Sequence, residues 1–281
     1  MKNTFTAAAI VFATVGVTAQ NYAPSPDLES LHVPFDALLD EHVRDGLVYY
    51  RALQGNRVRL NRYIASLNAP PVVSGYEKWN DDQKKAFWLN AYNALVMQTV
   101  INHYPIRGGS KNYPADSIRQ IPGAFEKTTH AIAGKQLALD QIETTVLAEF
   151  DDPRVYLALG RGAVGSGRLR SEAFSSKAVD KQLAQTKAQF AVTPRWAKVN
   201  ALAGKVSISP ILSWRSAAFI EEYADDSFDL PKRESLERAV IGFLRPHLNA
   251  AEEEFIKKNT FQLDYEPFDW RLNDLTGGRP D

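Results

Sequence analysis

The chain contains no cysteine. That absence excludes disulfides, thiolate catalysis, zinc–thiolate sites and iron–sulfur clusters. Histidine is scarce. His32, His42, His103, His130 and His247 supply all the imidazole, and no pair of them has metal-ligand spacing, so no metal is expected. Neither sign of charge is in excess, with 33 basic and 33 acidic side chains. A general nucleic-acid binder needs basic surface to release counterions, so no nucleic acid is expected as a partner. There is no internal repeat and no low-complexity tract. Past residue 20 no segment is apolar enough to cross a bilayer, which takes about 20 residues.

What is present is an ordinary globular composition: 281 residues, 44% hydrophobic and 23% charged. A chain of this size buries enough apolar surface to fold without staples. Its first residues read as an address. Lys2 precedes an apolar run from Ala7 to Val17, and small residues follow before Gln20. This is the pattern of a secretory signal peptide with cleavage near Ala19. The expectation is a secreted or periplasmic protein. Nicotinamide and nucleotide triphosphates are cytosolic, so no cofactor is expected. The expected organisation is a signal peptide over 1–19, a flexible leader over 20–30, one globular domain over 31–275 and a tail over 276–281.

The strongest element is a helix over about 80–102. Asn80 and Gln83 spell a capping box at its start, and Pro105 stops it. From Ala86 to Ile101 it is apolar on nearly every face, so other elements must enclose it. Asn90 and Asn93 then lie buried, and a buried amide without partners costs about 1–3 kcal/mol. Helical spacing also marks Pro34–His42 and Arg57–Leu67, and Asn68–Ser74 reads as a connector. Phe125–Ala138 reads as a hairpin around Gly134-Lys135. Asp140-Gln141-Ile142-Glu143 reads as a capping box, Arg154–Leu159 as a short buried strand and Ser171–Phe190 as mostly helical. Pro231–Leu248 reads as a helix with proline in its first turn, and Phe261–Asn273 as an extended closing segment. The class predicted is α+β, a helix-rich single domain around the buried helix with a small, mostly antiparallel sheet.

Three places carry chemistry. Gly160–Gly165 spells G-x-G-x-x-G, but no apolar helix face and no acid-tipped second strand follow, so a dinucleotide site is not expected. Arg154, Arg161, Arg168 and Arg170 fall within 17 residues, on this loop and just before it. Arginine forks suit carboxylates and phosphates, and glycine-rich backbone can form an anion nest. Ser166, also in this loop, is a nucleophile only if a base lies in reach. His103 or His130 would be that base, with Glu143 or Asp140 to orient it. Finally, Asn90, Tyr92, Asn93, His103 and Tyr104 form either a polar pocket wall or an internal hydrogen-bond network.

Several segments together resemble a known family, domain of unknown function 547. They are Phe87-Trp88-Leu89-Asn90-Ala91-Tyr92-Asn93-Ala94-Leu95 with His103-Tyr104-Pro105, then Leu139-Asp140-Gln141-Ile142-Glu143, then Asp152–Leu159 leading to Leu169-Arg170. The opening at Asp45–Tyr50 and the Asp269-Trp270 pair near the end also fit. The resemblance implies a loop with two cysteines five positions apart and a histidine directly after the acid at Glu143. That combination suggests thiol-hydrolase chemistry, on a papain- or transglutaminase-like scaffold by analogy. Here Arg161 and Ser166 stand at the cysteine positions and Thr144 at the histidine position. The joint replacement points to a scaffold that has shed that chemistry.

The leading expectation is therefore a non-catalytic member binding a small anionic molecule or an envelope protein at the Gly160–Arg170 loop. Arg161, Arg168, Arg170, Asn90, Tyr92, Asn93 and Glu143 are its candidate binding residues. The alternatives are a serine-type hydrolase using Ser166 with His103 or His130, and a structural envelope protein with no pocket.

Overall fold

A computed structural model describes residues 28–276. The signal-peptide reading falls on residues outside that range, as do most of the leader and the tail. Leu28–Ser30, counted with the leader from sequence, are already helical.

Helix α1 (Leu28–His42) leads into a two-residue ladder, Val43–Arg44 against Leu47–Val48. Asp45 and Gly46 turn the chain between them with φ of 53° and 82°. Helix α2 (Arg57–Ser66) follows. The expected connector after it is a short helical turn, Pro70–Gly75. Proline at a first helical position lacks an N–H that would be unpaired anyway, so it starts this turn rather than preventing it.

The central helix is α3 (Asp81–His103). Its capping box forms as read, with Gln83 N–H donating to Asn80 Oδ1 and Asn80 N–H to Gln83 Oε1, both at 2.9 Å. Tyr104, ahead of Pro105, leaves the helix in extended conformation (ψ 136°), as the clash with a following proline ring requires. Phe87, Trp88, Leu89, Tyr92 and Leu95 are fully buried, each contributing about 1.5–3 kcal/mol by leaving water. The helix packs on α1, on α2 and on the later helix α4 (Val179–Val192).

Strands β1 (Thr129–Ile132) and β2 (Lys135–Ala138) form the expected hairpin, turned at Ala133 and Gly134 with φ of 49° and 77°. After α4 (Val179–Val192) come β3 (Ala197–Asn200) and β4 (Lys205–Ile208). Helices α5 (Ser216–Tyr223), α6 (Ser235–Leu244) and α7 (Ala250–Lys257) then lead to β5 (Gln262–Tyr265). Strand β4 pairs antiparallel with β3 and parallel with β5. The chain is a helix-rich α+β domain with one continuous apolar core running from Leu28 to Leu272. Its strands do not join into a single sheet: the described residues form three separate small sheets.

Four local readings change. Arg154–Leu157 is a helical turn, not a strand. A short buried apolar run does not distinguish the two by periodicity, and Pro153 with the Asp152 carboxylate, which accepts from Arg154 N–H at 3.1 Å, starts a turn. Helix α4 begins only at Val179, because Ser171–Ala178 is held irregular by side chains from elsewhere. Asn90, for example, both accepts from Phe174 N–H and donates to its carbonyl, each at 2.8 Å. Helix α6 begins at Ser235 rather than Pro231, since Lys232 has φ 71° and cannot continue a right-handed helix. Finally, Gln141 rather than Glu143 caps its turn, accepting from Ala138 N–H at 2.9 Å.

Candidate functional site

The Gly160–Arg170 loop is mostly buried, and five of its amides have partners. Gly160 N–H donates to Asn93 Oδ1 at 2.8 Å and Arg161 N–H to Ser166 Oγ at 3.0 Å. Val164 and Gly165 N–H donate to the carbonyls of Arg271 and Asp269 at 2.9 and 2.8 Å, and Ser166 N–H to Ala163 O at 3.1 Å. The glycines serve close packing: a Cβ on Gly167 would lie 1.8 Å from the Leu157 carbonyl oxygen. A backbone anion nest, the sequence-based expectation for this loop, has no free amide at these five positions.

The loop arginines diverge. Arg168 pairs with exposed Asp45 at 2.9 Å. Arg170 pairs with Glu172 and with Gln185 Oε1 at 3.1 Å. Arg154 pairs with Asp152 and Asp180. Arg161 turns inward and is 3% exposed.

Arg161 meets Glu143, which sits on a π-helical turn (Ile142–Val146) following β2. The contact is a fork: Arg161 Nη2 to Oε1 at 2.8 Å and Nε to Oε2 at 3.1 Å. Arg215 Nη2 adds a bond to Oε1 at 2.9 Å, and Tyr92 OH one to Oε2 at 3.3 Å. A carboxylate offers about four lone-pair sites, and Glu143 has all of them occupied. Burial alone would push its carboxyl up, but the guanidinium groups of Arg161 and Arg215 outweigh burial and hold it below the ordinary carboxylate value. Arg161 is raised for the reciprocal reason: burial opposes its charge, and Glu143 more than restores it. Burial and the neighbouring carboxylate push the Tyr92 phenol well above its ordinary value, so it stays a donor.

This charged group forms the floor of a cleft of about 190 Å³. Arg119, Phe125, Trp214, Arg215 and Trp270 line it. Asp140, exposed, stands at the rim. Trp214 and Trp270 have ring planes 16° apart and centroids 6.3 Å apart, and Phe268 packs against both. The guanidinium of Arg119 lies over Phe125 and Trp270, 4.5 and 4.7 Å from their centroids, and pairs with Glu126. The Nε–H groups of Arg119 and Arg215 are buried without a hydrogen-bond partner.

The residues expected from sequence thus separate. Tyr92, Glu143 and Arg161 come together under the cleft. Asn90 and Asn93 clamp backbone, Asn93 donating to Ala158 O at 3.2 Å as well as accepting from Gly160. Ser166 is buried, and its hydroxyl accepts from Arg161 N–H. His103 is exposed at the end of α3, its Nδ1 bonded to Thr99 O at 2.9 Å. His130 is half-buried on β1, with Nε2 unpartnered and its imidazole shifted down by burial. No group of His, Asp or Glu able to hold a metal occurs among the described residues, and none of their helices is long and apolar enough to cross a membrane. Arg119, Phe125, Trp214, Arg215 and Trp270 were not singled out from sequence. The one signal was the pairing of tryptophan with a charged neighbour, at Trp214-Arg215 and Asp269-Trp270.

Residues 76–191 match the model of the family described as protein of unknown function, DUF547. The matched stretch holds α3, the β1–β2 hairpin, Glu143 and the whole Gly160–Arg170 loop, so the chain resembles that family across the floor of the cleft. No curated protein and no solved structure gives a significant match to the chain.

Proposed function

Starting from that resemblance, we propose that the chain is a secreted, non-catalytic binding protein that holds a small anion in the cleft between Arg119 and Arg215. The signal-like first nineteen residues support export. The observation that carries the binding reading is the saturation of Glu143. An acid that accepts four hydrogen bonds and sits below its ordinary pKa is a poor general base. It has no lone pair left to orient a histidine, and Thr144 follows it where the family pattern implies an imidazole. What the cleft does offer is a cluster of guanidinium groups. Arg119, Arg161 and Arg215 line it together with the carboxylates of Asp140 and Glu143, and Glu126 pairs with Arg119. Two buried guanidinium N–H groups there lack an acceptor. The ligand then sits in the cleft beside the Gly160–Arg170 loop, with Arg161 as a floor residue held by Glu143.

The test is calorimetric titration of the folded chain with acetate and with inorganic phosphate, repeated on Arg119→Gln and Arg168→Gln. Binding should weaken about tenfold or more in Arg119→Gln, the loss of a charge-assisted contact. It should be unchanged in Arg168→Gln, whose arginine faces Asp45 outside the cleft. Equal loss in both variants would return the site to the loop. Hydrolysis of an acyl ester by the wild type, abolished by Ser166→Ala, would overturn the non-catalytic reading.

A further inference from the structure

We propose that the anion is a planar aryl carboxylate, its carboxylate shared by Arg119 and Arg215 and its ring laid against Trp214 and Trp270; this rests on the anion-binding reading above. Size sets the first limit. Drug-sized ligands occupy pockets of roughly 300–1,000 Å³, and a cleft of about 190 Å³ admits a single ring with a small substituent. The nature of the walls sets the second. An inorganic anion uses none of the indole surface, whereas a flat arene gains from stacked or edge-to-face contact with each ring it meets. Trp214 is 39% exposed, an uncommon cost for an indole unless something covers it. Its plane lies nearly parallel to that of Trp270.

Charge sets the third limit. Glu143 already cancels much of Arg161, so the remaining guanidinium charge comes from Arg215, which shares that carboxylate, and from Arg119, which pairs with exposed Glu126. With Glu126, Asp140 and Glu143 already beside the three arginines, a monoanion fits better than a phosphate dianion. A carboxylate presents two oxygens in one plane with its ring, one for each of the guanidinium groups of Arg119 and Arg215 that line the cleft. Arg119 is held ready for it between Phe125 and Trp270, so little side-chain freedom is lost on binding.

The experiment is titration of the full chain with benzoate, cyclohexanecarboxylate, acetate and inorganic phosphate, followed by calorimetry and by tryptophan fluorescence. Benzoate should bind about tenfold more tightly than cyclohexanecarboxylate, its non-planar counterpart of similar size, and should quench the fluorescence. Trp214→Leu, with its circular dichroism checked to be intact, should reduce benzoate to the level of acetate. If acetate or phosphate binds as tightly as benzoate, the aryl assignment is overturned while the anion site stands. If none of the four binds to a chain whose circular dichroism is intact, both proposals fall together.

Discussion

The backbone N–H of Arg161 donates to the hydroxyl of Ser166 at 3.0 Å. These are the two positions at which the family resemblance implies cysteines, and here a hydrogen bond joins them across the loop. The serine is therefore a structural acceptor as much as it is a hydroxyl. Ser166→Ala should leave a buried amide unpaired and cost about 1–3 kcal/mol in urea unfolding, with anion affinity unchanged. A stability loss near zero would show that the amide finds another partner.

The Glu143–Arg161 pair is buried on both sides, with side chains 8% and 3% exposed. Removing one member of such a pair strands the other. Arg161→Met or Glu143→Gln should each destabilise the chain by about 3–5 kcal/mol, and a double apolar replacement by less than either alone. Additive losses in the double variant would refute the pairing.

The same carboxylate carries a pH signature. Its folded pKa lies below the ordinary 4.5 because two guanidinium groups outweigh its burial. A depressed carboxyl contributes stability that is fully present above the unfolded pKa and is lost as pH falls through the folded one. The acid limb of wild-type stability below about pH 4.5 should be shallower in Glu143→Gln, as read by denaturant midpoints across that range.

His32 acts over a different window. It is buried between Tyr63 and Phe87. Its Nδ1 is bonded to Tyr63 OH at 2.8 Å and its Nε2 is unpartnered. Burial lowers its pKa from 6.5 to about 4, against a small opposing pull from Glu29. Between those values the unfolded chain binds the proton and the folded one does not, so stability falls as pH drops from 6.5 towards 4. The loss is about 3 kcal/mol at the lower end. His42 and His130 are also lowered by burial and act in the same sense. His32→Asn should remove its own share of the slope and leave theirs; an unchanged slope would mean that His32 does not titrate as its burial dictates.

Gly167 has no room for a side chain. A Cβ there would overlap the Leu157 carbonyl, which is main chain and cannot swing aside. Gly167→Ala should cost about 1–3 kcal/mol or more by overpacking. It should also loosen the neighbouring Arg161–Ser166 contact, visible as faster amide exchange at Arg161. Gly109→Ala, with open space around it, is the control.

Much of the fold was legible where the signal is local. Asn80 and Gln83 bracket the start of α3, Pro105 ends it, and the apolar surround of Ala86–Ile101 announces burial. Gly134 marks the hairpin within its own turn. The buried amides of Asn90 and Asn93 had to be paired, and they are, to Phe174, Ala158 and Gly160. What sequence could not convey is partnership at a distance. Arg215 lies 72 positions from Glu143, and nothing near either residue names the other. For Glu143 the local reading was misleading, since its place in a capping pattern concealed a carboxylate that turns inward. The strand read at Arg154–Leu159 failed for a different reason: a short buried apolar run satisfies a strand and a helical turn equally well.

The closing segment has a consequence for how the molecule is made. Arg271 and Asp269 receive the amides of Val164 and Gly165. Asn273 accepts from Tyr50 OH at 2.8 Å and donates to Gly46 O at 3.0 Å, and Asp274 accepts from Tyr104 OH at 2.8 Å. Trp270, on the same segment, supplies a wall of the cleft. During synthesis these residues leave the ribosome after everything they tie down. Until then the helices can collapse around α3, but the loop has no strap and the cleft lacks an indole. A chain that stops before Asp269 therefore lacks both the strap on this loop and the Trp270 wall of the cleft.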